Sequence, residues 1–365
     1  MPEVSVRRGR MIAYRMFEVA SEIDLARVER LATGREGTSR LRIARGAAGR
    51  AVVLRDAPVT LSLGNSTVRL GTESIAAETF CRLWNYGIAS IQFHVPIEAG
   101  TPWGDLVRLA SLAESDNDLD EVALRKVDEV DTALGTAFDR RRVSSRPEDY
   151  VIHLLEEIDG ARAEDLLQRA DVAALILGES GETLSDGIRE STVAAHFSYA
   201  RDDLTVVDWN SALVLDASGS REVADIIEFA VTYLAEFRYV DAILDERIER
   251  LYDAVERRSA MAFLRGDYER LSREAGSLYL EFSEYVERVE NSLKFVGDLY
   301  LATIFRAAAG RFRLREWEES IGRKLTALAR ISELLHAEVN VRRSHLLEIV
   351  IIILIAYEIV SVLWR

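Results

Sequence analysis

Leu346-Leu-Glu-Ile-Val-Ile-Ile-Ile-Leu-Ile-Ala-Tyr-Glu-Ile-Val-Ser-Val-Leu-Trp364 is the strongly apolar stretch of this 365-residue chain. As a helix it rises about 1.5 Å per residue, close to the ~30 Å of a bilayer's hydrocarbon core. Arg342 and Arg343 precede it and Trp364 closes it, the flanks of a spanning segment with interfacial anchors. The stretch therefore reads as a C-terminal transmembrane helix over residues 346–364. This places the chain in the inner (cytoplasmic) membrane as a single-pass protein, its bulk in the cytoplasm. A carboxylate at the centre of a spanning helix costs about 2.5–3.5 kcal/mol. Glu358 then either snorkels to the headgroups or faces a partner helix.

Upstream of this stretch the hydrophobic period is helical. Residues 311–343 carry eight basic and five acidic side chains, an excess that favours anionic lipid. Three stripes alternate spacings of three and four: Ile227 to Val255, Leu278 to Ile304, and Leu314 to Val339. Such seams predict long antiparallel helices forming a bundle over residues 222–345. Gly266 and Ala309-Gly310 mark the expected turns. Asp241 occupies an apolar slot of the first stripe and reads as a register device paired to Arg238 or Arg247.

Before residue 222 the pattern is mixed. Met11 to Ala20 reads as a strand, and Asp24 caps a short helix to Leu31. Residues 41–70 hold short apolar runs broken by glycine and proline, a β insertion. Thr79 to Trp84 and Ile88 to Val95 flank Asn85-Tyr86-Gly87, a hairpin signal. Thr101-Pro102 opens a helix to Ala113. Tyr150 to Ile158 is a strand, Ala163 to Leu177 a helix, and Ala194 to Tyr199 with Leu204 to Val207 a second hairpin. This order predicts an α+β fold whose N-terminal α/β part is a split βαβ, ferredoxin-like arrangement, in one copy or duplicated. The expected domains are residues 1–143, 144–221, the bundle 222–345, and the anchor 346–364.

The formal net charge of −15 argues against phosphate-driven nucleic-acid binding by the chain as a whole. Cys81 is the only cysteine, which excludes an intrachain disulfide and a cysteine-based metal site. No leader is read at the N-terminus. No phosphate-binding Gly-x-x-x-x-Gly-Lys loop, His-Glu-x-x-His or Gly-x-Ser-x-Gly occurs. No catalytic residue, metal ligand or cofactor is assigned. Glu179, Glu182 and Asp186 read as a solvated acidic loop. His94 and His196 read as strand histidines that share a site only if their strands adjoin. Arg140-Arg141-Arg142 with Arg146 is the sharpest basic cluster outside the C-terminal third. Asp208-Trp209-Asn210, at a β-to-helix junction, is the residue set most suited to binding.

Several runs resemble the "required for meiotic nuclear division" family, also called YagE-like. They are Phe80-Cys-Arg-Leu-Trp-Asn-Tyr-Gly-Ile-Ala89, Asp208-Trp-Asn-Ser-Ala-Leu-Val-Leu-Asp216, Val223-Ala-Asp-Ile-Ile-Glu-Phe-Ala230 and Phe237-Arg-Tyr-Val-Asp-Ala-Ile-Leu-Asp245. Val289 to Tyr300, Arg315-Glu316-Trp317 and Leu347 to Ile355 complete the set. The loop Ala217-Ser218-Gly219-Ser220 departs from those relatives that carry proline and aromatic residues there. The resemblance implies a terminal anchor, homomeric assembly and, in eukaryotes, support of mitochondrial translation. It implies no enzymatic activity.

The expectation is a membrane-anchored, non-enzymatic scaffold that forms a homo-oligomer, with Asp208, Trp209, Asn210, Asp241, Arg342, Arg343 and Glu358 as interaction residues. One alternative is a small-ligand or nucleotide-binding regulator using the α/β part. The other is an RNA or ribosome tether at the membrane.

Overall fold

The computed structural model describes residues 3–256 apart from 33–36, 42, 46–49, 53–55, 116, 145 and 182–183, then 270, 272–280, 282–283 and 299–364. By contacts the chain divides into two compact units, Met1–Arg238 with Val289–Arg315, and Tyr239–Arg288 with Glu316–Arg365.

The first unit is built on strand β1 (Ser5–Glu18), in which every residue from Met11 to Glu18 is buried. A strand buried on both faces belongs inside a sheet with layers on either side. Three short pieces follow it in the chain: β2 (Glu22–Ile23), helix α1 (Leu25–Leu31) and β3 (Ser39–Arg40). The Asp24 carboxylate accepts from the Arg27 amide at 2.9 Å, the cap its position predicts. A small hairpin joins β4 (Ile43–Arg45) to β5 (Arg50–Val52). The long strands β6 (Val59–Leu70), β7 (Glu73–Leu83) and β8 (Ile88–Ile97) form an antiparallel meander. Gly87 turns the β7–β8 hairpin at φ 99°, and a Cβ there would lie 1.9 Å from the Ala20 carbonyl oxygen. Only glycine fits that close approach.

Thr101 donates its hydroxyl to the Glu98 carbonyl at 2.7 Å. Thr101 and Pro102 therefore form the short strand β9 against β1, and helix α2 (Trp103–Ser115) begins one residue later. Helix α3 (Leu119–Leu134) and β10 (Phe138–Asp139), which pairs β2, precede β11 (Glu148–Asp159). Short helices α4 (Leu166–Arg169), α5 (Val172–Leu177) and α6 (Asp186–Val193) lead to β12 (His196–Phe197), β13 (Asp203–Val207) and β14 (Ser211–Asp216). The main sheet runs β12-β13-β14-β11-β1-β8-β7-β6-β3, with β9 off the path. The β11–β14 pair is parallel, while β1 pairs β8 and β11 antiparallel.

One face of the sheet buries Met11, Ala13, Ile91 and Phe93 against Val122, Val127 and Val130 of α3. Farther along, Leu155 and Leu213 pack with Leu106 of α2 and Leu175 of α5. On the other face lie the N-terminal turns of α7 (Glu222–Glu256) and helix α8 (Leu299–Arg311). There Phe229 packs on Phe305, with ring centroids 5.8 Å apart, and Phe312 meets the Tyr150 ring edge-on at 5.6 Å.

In the second unit Leu244, Leu251, Leu278, Ile321, Leu328 and Leu335 are buried. Lys324, on helix α9 (Leu314–Leu363), lies 2.7 Å from the carboxylates of both Asp241 and Asp245.

Three expectations are corrected. First, no helix among the described residues is long and apolar enough to cross a membrane. Residues 346–363 are the end of the 50-residue helix α9. The run uninterrupted by charge is the nine residues from Ile349 to Tyr357, between Glu348 and Glu358. Nine residues rise about 14 Å, under half of a ~30 Å hydrocarbon core. The transmembrane helix, the inner-membrane placement and the membrane-anchored scaffold fall with it. Second, the duplicated ferredoxin-like arrangement is replaced by one mixed sheet, because β11 pairs β1 along their length and β14 adds to β11 in parallel. Third, the turn expected at Ala309-Gly310 lies beyond Arg311, at Arg313, whose φ is 52°. The middle helical stripe lies outside the described residues over 284–298, as does Gly266.

Candidate functional site

Strand β8 alternates Ala89, Ile91, Phe93, Val95 with Ser90, Gln92, His94. Such alternation ordinarily means one buried and one solvated face. Here both rows are buried, because α7 covers the polar one. Successive side chains of a strand point to opposite faces. Ser90, Gln92 and His94 thus share a face with Arg82 of β7 and Tyr14 of β1, which lies opposite Gln92.

Helix α7 meets this row with Asp225, Glu228 and Thr232, a polar stripe at helical spacing. Arg82, 3% exposed, donates to the Asp225 carboxylate at 2.9 Å, to the Glu228 carboxylate, and through Nε to the Thr60 hydroxyl at 3.1 Å. Glu228 Oε1 accepts from the Ser90 hydroxyl at 2.7 Å and from Gln92 Nε2 at 2.9 Å. Burial pushes the Glu228 carboxyl up, and the Arg82 guanidinium pulls it back. The Tyr86 and Thr232 hydroxyls lie 2.6 Å apart. Tyr14 Oη has no hydrogen-bond partner among the described residues. Burial and then the charge of Glu228 raise its phenol well above the ordinary value.

At the end of this row a groove of about 290 Å³ opens among β1, β7 and β8, lined by Gly9, Arg10, Asn65, Ala76, Ala77, Glu78, His94 and Pro96. That size is at the small end of the ~300–1,000 Å³ typical of ligand sites. His94 is 2% exposed, and its Nε2 lies 3.2 Å from Gln92 Oε1. Its Nδ1 has no partner among the described residues. Burial, and after it the charges of Arg221, Arg10 and Arg82, push the imidazole down to about 2. A neutral ring with one unpartnered nitrogen therefore forms part of the groove wall. A second cavity, lined by Glu114, Asp149, His153 and Asn210, is about 10 Å³, room for about one water. Among the described residues no group of histidine, cysteine, aspartate and glutamate could hold a metal ion.

The interaction residues expected from sequence lie elsewhere. Asp208, Trp209 and Asn210 form the turn of the β13–β14 hairpin, not a β-to-helix junction, with the Asp208 amide donating to the Ser211 carbonyl at 3.0 Å. Asp208 lies 3.4 Å from Arg311, Asn210 donates to Glu114 at 3.0 Å, and Arg238 covers the Trp209 ring at 5.3 Å. Asp241 belongs to the second unit and is bonded by Lys324 and by the Ser320 hydroxyl at 3.0 Å, rather than by Arg238 or Arg247. Glu358 is exposed on α9. Arg342 and Arg343 are on the same helix, their side chains outside the described residues.

Cys81 is buried, and burial raises its thiol far above the ordinary value, as suits a core residue. Arg141 and Arg142 pair with Asp131 and Glu18 instead of forming an open basic patch. Glu182 lies outside the described residues. His196 is on β12, with four strands between it and His94 on β8, so the two share no site. The buried network is hard to read from sequence because the apolar stripe of α7 runs beside the polar one. The signal was the match between polar residues at helical spacing on α7 and at alternate positions on β8.

The family described as "Uncharacterized protein MJ0711, N-terminal domain" matches residues 8–221. The uncharacterized protein MJ0711 of Methanocaldococcus jannaschii is 24% identical over 220 residues, 59% of this chain and 66% of that protein. The chain thus spans just under two-thirds of this relative's length. No solved structure matches. Nothing in these matches points to the meiotic nuclear division or YagE-like family, and the resemblance drawn from short runs is corrected accordingly. The family match covers β1, the groove strands and the sheet through β14, and on that ground this chain belongs to the MJ0711 N-terminal domain family.

Proposed function

We propose that the sheet unit binds a small polar molecule in the groove among β1, β7 and β8. The observation that carries this reading is His94 Nδ1, a buried polar atom at the groove wall with no hydrogen-bond partner among the described residues. A buried polar group left without a hydrogen bond costs about 1–3 kcal/mol, which a ligand occupying the groove would offset. The fixed network behind it supports the reading, since Gln92, Glu228, Arg82 and Arg221 hold the ring in one orientation before any ligand arrives. Calorimetric titration of a library of small polar metabolites should find a ligand for the wild-type chain. His94→Phe should lose that ligand and Trp209→Phe, at the β13–β14 turn away from the groove strands, should keep it. A wild-type chain that binds none of the library overturns the reading.

We also propose self-association through α9. Leu347 and Ile349 to Ile355 are each at least 42% exposed, as are Tyr357, Ile359 and Val360. Contiguous exposed apolar surface marks an interaction site.

A further inference from the structure

We infer that the groove selects a zwitterion of the amino-acid class, a molecule carrying both an amine and a carboxylate; this rests on the groove being a binding site. The argument starts two residues behind the groove. Arg221 is a donor only, and its Nη2 lies 3.2 Å from Gln92 Oε1. That position on Gln92 is therefore the carbonyl oxygen. The other end of the same amide donates to Glu228, which agrees. His94 Nε2 faces the same oxygen at 3.2 Å and so carries the ring hydrogen. In a neutral imidazole the remaining nitrogen, Nδ1, is then a lone pair. Burial, and after it the charges of Arg221, Arg10 and Arg82, keep the ring neutral. This acceptor is buried in the groove wall, and a ligand that reaches it must meet it with an N–H or O–H.

The flanking strands add a second acceptor and a donor. Glu78 stands directly across from His94 in the β7–β8 register. Facing residues of an antiparallel pair are about 4.5–5.5 Å apart at Cβ, and the carboxylate accepts only. On the other side His94 faces Ile12 and Arg10 faces Pro96, so Arg10 is the diagonal neighbour of His94. Its guanidinium lies 3.8 Å from Glu156, beyond hydrogen-bond reach, while Arg8 holds that carboxylate at 2.6 Å. Arg10 thus keeps a long ion pair to Glu156 but makes no hydrogen bond to it. The groove therefore has an accepting end, Glu78 with His94 Nδ1, and a donating end, Arg10. An ammonium on the first and a carboxylate on the second satisfy both. A simple carboxylic acid leaves two acceptors without a donor, and a simple amine leaves the Arg10 donors with only the long Glu156 ion pair.

The test is calorimetric titration of the full chain with the twenty amino acids, their 2-hydroxy acids and their decarboxylated amines. At least one amino acid should bind, with its hydroxy acid and its amine each about tenfold weaker or more, the effect of losing one charge-assisted hydrogen bond. Glu78→Gln and Arg10→Gln, on the surface, should each weaken binding about tenfold without moving Tm. A nitrogen-15 spectrum should show the His94 ring protonated on Nε2 alone, assigned by its loss in His94→Phe. A hydroxy acid or an amine binding as tightly as its amino acid, or a proton on Nδ1, overturns the inference and leaves the groove a binding site. Binding of none of the three classes overturns the inference too, and the wider library then decides whether the groove reading falls with it.

Discussion

Glu18, at the end of β1, is 2% exposed, with Arg142 Nε donating to its Oε1 at 2.7 Å and, among the described residues, no hydrogen bond to its Oε2. Burial outweighs Arg142 and pushes this carboxyl up to about 8. The native chain thus holds a proton that the unfolded chain has released above about 4.5. Wherever the native state binds more protons, stability falls as pH rises. His153 works in the opposite sense. Burial lowers it to about 4 from 6.5, so the unfolded chain takes up the proton first and stability falls as pH drops below 6.5. His94, lowered further, adds to that acid-side loss. The two effects oppose each other below 6.5, and Glu18 stands out between pH 6.5 and 8. Urea unfolding across that window should show wild-type stability declining by up to about 1.4 kcal/mol per pH unit, with Glu18→Gln nearly flat. Equal slopes in the two proteins would remove Glu18 as the cause.

At the scale of the element, α7 is held on the sheet by charge as well as by its aromatic face. Arg82 is set between Asp225 and Glu228, all three buried. Removing one member of a buried ion pair costs about 3–5 kcal/mol, because the remaining charge has no water. Arg82→Met should therefore lower unfolding free energy by about that much, and Arg82→Met with Glu228→Met should cost less than the two single losses together. Additive losses in denaturant titration would show that the pair is uncoupled. This contact also marks where sequence reasoning stopped. The Asp24 cap and the Asn85-Tyr86-Gly87 hairpin were legible because every interaction they need lies within a few residues. The Arg82–Glu228 pairing joins residues 146 apart. Nothing local tells a polar row on β8 that a polar row on α7 will cover it, so the strand reads as half-solvated. The same limit hid the β1–β11 and β11–β14 pairings that join the strands before and after residue 143 in one sheet. The groove was legible only in part. His94 is legible as a strand histidine, whereas Glu78 and Arg10 flank it through register alone.

At the scale of the whole molecule, the longest run of exposed apolar side chains among the described residues is on α9. Of the third heptad stripe, Ile321, Leu328 and Leu335 are buried within the chain, whereas the described residues that continue it are not. Extended at the same spacings of three and four, the stripe continues through Ile349, Ile353, Ala356 and Val360, all exposed. A seam that is buried for part of its length and, among the described residues, uncovered beyond supports the proposed pairing with another copy. A coiled coil of this kind uses the seam and leaves other positions outside. That distinction gives the test. Ile353 is on the seam and Ile351 is not, and both are more than half exposed, so glutamate at either should leave the fold of one chain intact. Sedimentation velocity of the full chain should show concentration-dependent association that Ile353→Glu abolishes and Ile351→Glu leaves in place. Equal loss in both variants would mean generic apolar contact rather than a seam, and a wild-type monomer at every concentration would rule out pairing through α9.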